Sequence, residues 1–369
     1  MGSPLRILHV VVNMNRGGAE TLIMNLYRNI DRSKVQFDFL TCKEGVFDSE
    51  ILNMGGKIHR IPYISDVGHF KYVKELNQFF KSNSQYKIVH SHLDKMSGLV
   101  LRSAKRAGVP FRISHSHNTS SEGGLAAKIY KWYAGNFISS NSTTMFACSS
   151  SAAEWLFKEG ATSSEILKNG IECEKFAFSP QTRKEVREEL QLDKNIFVLG
   201  HVGRFAHQKN HEFLITVFEK FNKIKKDSVL ILAGDGPLRM NIEKQVMELN
   251  LLDKVRFIGI RSDIHRMLQA FDVFVFPSIH EGLPVSLIEA QGSGLPCLIS
   301  DTISKEVDLG DHLVEFIPLT ATNQWVQKLK GIATKRGKRG NLTNSITLQG
   351  YDIKNTADYI EDFYLTISG

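Results

Sequence analysis

The sequence predicts an α/β protein built as two doubly wound, parallel-sheet domains in series. Three observations carry this. The chain has 369 residues, more than a single hydrophobic core usually organises. Short apolar runs alternate with stretches of helical periodicity, the pattern of a parallel sheet with crossover helices. That alternation breaks into Asn-Gly, Glu and Pro around Lys168–Pro180 and then starts afresh.

Each element follows from its residues. Leu5–Val12 is an almost unbroken apolar run that ends in Asn13, Asn15, Arg16, Gly17 and Gly18, after which Ala19–Asn29 repeats apolar residues at helical spacing. Strand, glycine loop and helix are expected in that order. Further strands are expected at Val35–Thr41, Ile58–Ile61, Ile88–Ser91, Phe111–Ser116 and Met145–Ser149. Beyond the break, Arg183–Leu190 reads as a helix. Strands then fall at Phe197–Val202, Val229–Ala233, Val255–Ile258, Val273–Phe276 and Cys297–Ser300. Thr334–Gly340, with Lys335, Arg336, Lys338 and Arg339, reads as a basic, exposed loop, and a last helix runs from Ile353 to about Leu365. The expected domains are residues 1–172, residues 173–350, and a closing helix at 351–369.

Composition narrows the class. With 42% hydrophobic and 23% charged residues, the chain has the balance of a soluble globular protein. Its longest apolar runs, such as Val229–Ala233 and Phe271–Phe276, fall far short of the roughly 20 residues of a spanning helix. The opening residues lack a basic stretch, an apolar core and a small-residue cleavage site, so a cytoplasmic location is expected. Cys42, Cys148, Cys173 and Cys297 form no CxxC pair, which argues against a zinc ribbon or a disulfide framework. The net charge of +7 belongs to the first half: residues 1–170 carry 21 Lys and Arg against 13 Asp and Glu, the remainder 25 against 26. An anionic partner, such as a membrane surface or a lipid diphosphate, and a merely solvated basic surface both fit that asymmetry.

Four constellations could carry chemistry. The Arg16-Gly17-Gly18-Ala19-Glu20 turn follows a strand and opens a helix, where free N–H groups and the helix dipole favour an anion. It lacks the GxGxxG spacing of a nicotinamide or flavin site, and two glycines also serve turn geometry alone. In Glu281-Gly282-Leu283-Pro284, Glu281 stands just past the Val273–Phe276 strand, where open α/β sheets place ligands. Pro284 suits the first turn of the following helix. The amides of Leu283 and Val285 could face a diphosphate, and Glu289 could accept hydrogen bonds from ribose hydroxyls. On spacing alone, two glutamates eight positions apart also fit a solvated helix face. Arg204, after Gly203, and Lys209 place a bidentate donor and a point charge beside a third strand end, suited to a leaving diphosphate. Finally, His90 with His92 and His115 with His117 form two i, i+2 pairs at strand ends. No carboxylate or cysteine stands beside them at ligand spacing, so no metal is expected.

Taken together these features resemble the retaining glycosyltransferases of family four. The resemblance covers nearly the whole chain. Its most specific element is Glu281-Gly282-Leu283-Pro284 through Glu289, an E-x7-E motif set after Phe276-Pro277-Ser278. Gly203-Arg204 with Lys209, Ala233-Gly234-Asp235-Gly236-Pro237, Phe257-Ile258-Gly259, Lys168-Asn169-Gly170-Ile171 and the Gly17-Gly18 loop support it in order. The resemblance implies the GT-B architecture of two facing Rossmann-like domains with an interdomain cleft. It implies that Arg204 and Lys209 hold the donor diphosphate, that Glu289 binds the ribose and that Glu281 contacts the transferred sugar. The backbone at Ile260-Arg261 would meet the base, Gly17-Gly18 would approach the phosphates, and His117, with His115 as a rival, would bond the donor sugar.

Within that family, Leu8-His9-Val10-Val11, Gly17-Gly18-Ala19-Glu20 and Ser114-His115-Ser116-His117-Asn118 look like bacterial exopolysaccharide or capsule enzymes. The expected donor is a nucleotide-diphosphate sugar, UDP-linked. The acceptor would be a glycan or an undecaprenyl-diphosphate-linked glycan at the inner face of an anionic membrane. No cofactor, metal or nucleic-acid partner is expected, and the chain has no DxD carboxylate pair at the implied donor site. A UDP-sugar 2-epimerase or a non-catalytic nucleotide-sugar-binding protein would share much of this pattern.

Overall fold

The computed structural model describes residues 3–121, 123–335, 339–340 and 342–369. The chain divides into two compact units, Met1–Ile171 with Asp352–Gly369, and Glu172–Tyr351. The first unit holds strands β1 (Leu5–Val10), β2 (Val35–Thr41), β3 (Ile58–Arg60), β4 (Ile88–Ser91), β5 (Phe111–Ser116), β6 (Thr144–Ala147) and β7 (Glu165–Ile166). They pair in parallel in the order β3-β2-β1-β4-β5-β6-β7. The crossover helices include α1 (Gly18–Asn29), α2 (Ile64–Ser82), α3 (Ser97–Arg106) and α4 (Leu125–Gly135).

The second unit repeats the plan with β8 (Phe197–Val202), β9 (Ser228–Ala233), β10 (Val255–Gly259), β11 (Val273–Phe276), β12 (Cys297–Ser300) and β13 (Val314–Ile317). Their order is β10-β9-β8-β11-β12-β13, again all parallel. Its helices include α5 (Pro180–Glu189), α6 (His211–Ile224), α7 (Arg239–Glu248), α8 (Val285–Gly292) and α9 (Thr322–Lys335). The chain then returns to the first unit through α10 (Ile353–Ser368), anchored by a parallel bridge between Ile171 and Asp352.

In both sheets the first strand lies beside the fourth, so the winding direction reverses between β1 and β4 and between β8 and β11. Ligands of open α/β sheets bind outside the strand ends at such a reversal. The sheets hold because both faces are covered, as parallel strands require. In the first unit, Ile7, Val11, Phe37, Phe39, Ile88, Ile113 and Phe146 pack under α1 and α10. Leu8, Val10, Leu40 and Val89, one residue out of step, pack under α2 and α3. In the second unit, α6 buries Leu214, Ile215, Val217, Phe218 and Phe221, the stripe of a helix on a sheet. Helix α5 is capped by the Ser179 hydroxyl, which accepts from the Thr182 amide, and starts on Pro180. It is held by Arg183 and Arg187, both paired with Asp272.

Two details differ from the sequence expectation. The two-residue β7 and β13 extend the sheets where no apolar run announced them: β7 is exposed along its length, and β13 has the mixed sequence Val-Glu-Phe-Ile. The basic stretch near residue 335 is not a loop throughout. Helix α9 continues through Lys335, and Arg339 turns inward over the Phe178 ring, its Nη1 donating to the Leu268 and Gln269 carbonyls. Arg336 and Lys338 of that stretch lie outside the described residues.

Candidate functional site

In the second unit the candidate site is assembled by the loops that follow β8, β9, β10 and β11. Lys209 lies in a short turn after β8, and its Nζ is 2.7 Å from Glu281 Oε1 in the loop after β11. The two side chains are only 16% and 8% exposed, so this is a largely desolvated pair, and removing the Glu281 charge costs the buried Lys209 ammonium its ion-pair partner. The backbone is stitched at the same place: the Ile279 amide donates to the Gln208 carbonyl and Gln208 Nε2 to the His280 carbonyl, both at 2.8 Å. Lys209 also sits 4.7 Å from the centre of the Phe276 ring. The two residues assigned above to diphosphate and to sugar therefore form one unit across the β8/β11 reversal.

Arg204 stands beside this pair with an exposed side chain that has no hydrogen bond or ion pair among the described residues. Its loop is shaped by glycines. A Cβ on Gly203 would lie 2.9 Å from His201 Nε2, and His201 is fixed by an Nδ1 hydrogen bond to the Val275 carbonyl. Gly234, at φ +134°, allows no side chain, because a Cβ there would meet the Gly203 carbonyl oxygen at 2.1 Å. Gly236 lies as close against the Phe205 backbone. The Gly234-Asp235-Gly236 turn thus serves as the seat of the Gly203–Phe205 loop.

Glu289 lies in the second turn of α8, half-buried, with no partner for its carboxylate among the described residues. Burial pushes its carboxyl up to about 7. Pro284 precedes the helix as its cap instead of occupying the first turn, because α8 begins at Val285. Gly282, Leu283 and Pro284 are buried, and Val285 is half-buried. At the end of β10, Gly259 adopts φ +68°, Ile260 is exposed, and Arg261 bonds Asp263 and Glu189. A cavity of about 580 Å³ in this unit, lined by Met240, Glu243, Met247 and Phe257 among others, shares no residue with these loops.

The first unit gathers histidines at its own reversal. His9 on β1 is in register with His90 on β4, and His92, His115 and His117 continue the group. His9 Nδ1 is 3.0 Å from His92 Nε2, and His92 Nδ1 is 2.8 Å from His117 Nε2. His90 Nδ1 meets the Tyr364 hydroxyl of α10 at 2.6 Å. Burial lowers all five, His9 and His117 to about 3, so the rings are neutral near pH 7. His115 is fully buried, whereas His117 is half-buried at the strand end, its amide held by Asp94 Oδ1. Asp94 Oδ2 takes Asn118 Nδ2, and burial raises the Asp94 carboxyl against these two bonds. Gly17 caps α1, where a Cβ would strike the Glu20 carboxylate, while a Cβ on Gly18 would meet nothing within 4 Å. Sequence reasoning missed His9, Asp94 and Tyr364 as members of this group; only β1 alternation, which puts His9 on the face of Ile7, could have flagged one of them.

Comparisons with known proteins bear on the family and the fold. Residues 182–340 match the family described as glycosyl transferases group 1, and residues 17–169 match the glycosyl transferase 4-like domain. Over 98% of its length the chain is 39% identical to the putative glycosyltransferase EpsF of Bacillus subtilis, covering 97% of that protein. It is 28% identical, over 98% of its length and 97% of the relative's, to an Escherichia coli UDP-Gal:alpha-D-GlcNAc-diphosphoundecaprenol alpha-1,3-galactosyltransferase. Among solved structures, the UDP complex of Anabaena Alr3699/HepE superposes with a TM-score of 0.79 at 17% identity, over 98% of this chain and 100% of that one. The chain belongs to the family-four glycosyltransferases and has the GT-B fold.

Proposed function

We propose that this glycosyltransferase transfers a sugar from a UDP-sugar with retention of configuration, without a metal at the diphosphate, onto a lipid-linked glycan in bacterial surface polysaccharide assembly. The observation that carries the reading is the set of charges at the β8/β11 reversal. Among the described residues, Arg204 offers an unpartnered guanidinium, Lys209 is held in place by Glu281, and Glu289 is a half-buried carboxylate without a partner. Two cations can take the diphosphate charge that a metal would otherwise screen. Glu289 takes ribose hydroxyls, Glu281 the sugar, and the backbone of Ile260, Arg261, Gly282, Leu283 and Val285 the base and phosphates. On the first unit, Gly17, Gly18 and His117 are the groups proposed to face ligand.

The relatives support the donor and acceptor classes, since one is described as using UDP-Gal and a diphosphoundecaprenol acceptor and another as a Staphylococcus aureus capsular polysaccharide enzyme. The surface of the first unit supports a membrane-bound acceptor. Leu125, Ile129 and Trp132 of α4 recur at i, i+4 and i+7 and are all exposed, beside Lys128, Lys131 and the 88%-exposed Phe70. Apolar residues flanked by lysines suit an anionic bilayer interface.

Calorimetry with a panel of nucleotide sugars in EDTA tests the donor site. Binding of UDP-sugars is expected, and Arg204→Ala is expected to weaken it 10- to 100-fold, about 1.5–3 kcal/mol for a charge-assisted bond. Melting should stay unchanged, because the exposed Arg204 side chain makes no hydrogen bond or ion pair among the described residues. No nucleotide binding, or binding indifferent to Arg204, defeats the reading. In vesicle sedimentation, binding to anionic liposomes should fall at least fivefold in Leu125→Ser/Trp132→Ser; equal binding rejects the membrane contact.

A further inference from the structure

We propose that the first unit carries a site for one divalent cation of the zinc class, ligated by His92, His115 and His117. One ring nitrogen from each lies within 4.8 Å of the other two. His115 is 0% exposed, and neither of its ring nitrogens has a hydrogen-bond partner. His117 Nδ1, His90 Nε2 and His9 Nε2 are likewise buried without partners. Five orphan imidazole nitrogens in one cluster are costly, because buried polar atoms are nearly always bonded. A cation held by His92, His115 and His117 gives buried His115 the partner it lacks among the described residues.

The ligand set is chosen by access and by orientation. His9, His90 and His92 also converge, but all three are buried, whereas His117 at the strand end opens a route in. His90 is already committed to the Tyr364 hydroxyl. In the tautomer in which His92 Nε2–H donates to His9 Nδ1, 3.0 Å away, the Nδ1 lone pair of His92 is directed towards His117. Such an outer partner fixes the tautomer of a ligating histidine. Asp94 holds the His117 backbone and Asn118, so the loop is braced from the other side. Neutral imidazoles need not lose a proton to bind.

Tetrahedral zinc, with bonds of about 2.0–2.1 Å, needs ring nitrogens about 3.3 Å apart. The His92–His117 pair, now at 2.8 Å, opens by roughly 0.5 Å, a small ring rotation, while His115 closes in. Three imidazoles leave a fourth position for water or an exogenous ligand. His117 is also among the groups proposed above to face the donor, so the test reads the metal alone and does not depend on that reading.

The test uses tag-free, chelator-stripped full-length protein titrated with Co2+ and then Zn2+. One equivalent of Co2+ should bind with visible ligand-field bands, and Zn2+ should displace it. His115→Phe should weaken Zn2+ affinity at least tenfold, while His265→Ala in the second unit leaves it unchanged. X-ray absorption of the zinc-loaded wild type should count three imidazole nitrogens, which decides the question even if His115→Phe does not fold. Substoichiometric binding, fewer than three imidazoles, or a folded His115→Phe that keeps its affinity overturns the site.

Discussion

At the scale of single residues, Glu289 is the most informative group because its environment contradicts its charge. A carboxylate half-buried without a partner ionises reluctantly, and its carboxyl lies at about 7 against the usual value near 4.5. The folded state therefore holds a proton between pH 4.5 and 7 that the unfolded chain has released. Its contribution to stability is present below pH 4.5 and is lost as pH rises through 7. Glu289→Gln should raise the melting temperature at pH 8 and leave it unchanged at pH 4.5. Ionised Glu289 is also the stronger acceptor for hydroxyl donors, so UDP-sugar affinity should climb between pH 6 and 8 in the native protein and stay flat in Glu289→Gln. Affinity that is flat in both proteins removes Glu289 from the ribose. The sequence pointed to this residue through the resemblance of its E-x7-E motif, because spacing alone also fits a solvated helix face. Its isolation was not, because no sequence pattern reports which partners a carboxylate lacks. The same limit hid the histidine group: the two H-x-H pairs were visible, but their juxtaposition with His9 and Tyr364 depends on pairing β1 with β4 and on α10 returning to place Tyr364 against His90, 274 residues earlier in the chain.

At the scale of elements, most strands were readable, because a strand buried on both faces must be apolar throughout. Elements escaped where that constraint relaxes, as in the exposed β7 and the mixed β13. Arg339 escaped for a related reason: a basic run reads as solvated, yet one arginine can turn inward when carbonyl groups are free to receive it. The glycine turn after β9 was readable as a turn but not as the seat of its neighbour. That role makes a prediction. In Gly234→Ala the new methyl group meets the Gly203 carbonyl oxygen, and φ +134° is unfavourable for any side chain. Strain of about 1–3 kcal/mol is expected, relieved by shifting the Gly203–Phe205 loop and Arg204 with it. UDP-sugar affinity should fall at least tenfold while α6 and the sheet keep their hydrogen-exchange protection. Undiminished affinity in a folded Gly234→Ala means that the turn does not position Arg204.

At the scale of the whole molecule, the two units share a winding plan but differ in what acid does to them. The first unit gathers five neutral histidines in one cluster, four of them buried and His117 half-buried; the second buries His201 and His211, lowered to about 4 and about 2. A histidine that must stay neutral to remain folded contributes stability that is present above its unfolded value near 6.5 and is lost as pH falls towards its folded value. For His9 and His117 that window runs from about 6.5 down to about 3. Each such group removes at most about 1.4 kcal/mol per pH unit inside the window, and the first unit holds more of them than the second. Hydrogen exchange followed from pH 7.5 to 4.5 should therefore show β1, β4 and β5 losing protection at a higher pH than β8, β9 and β11. Replacing His115 with Phe, where folding permits, should move that loss to lower pH. Simultaneous loss in both units, or earlier loss in the second, would show that carboxylates and not the histidine cluster set the acid limit.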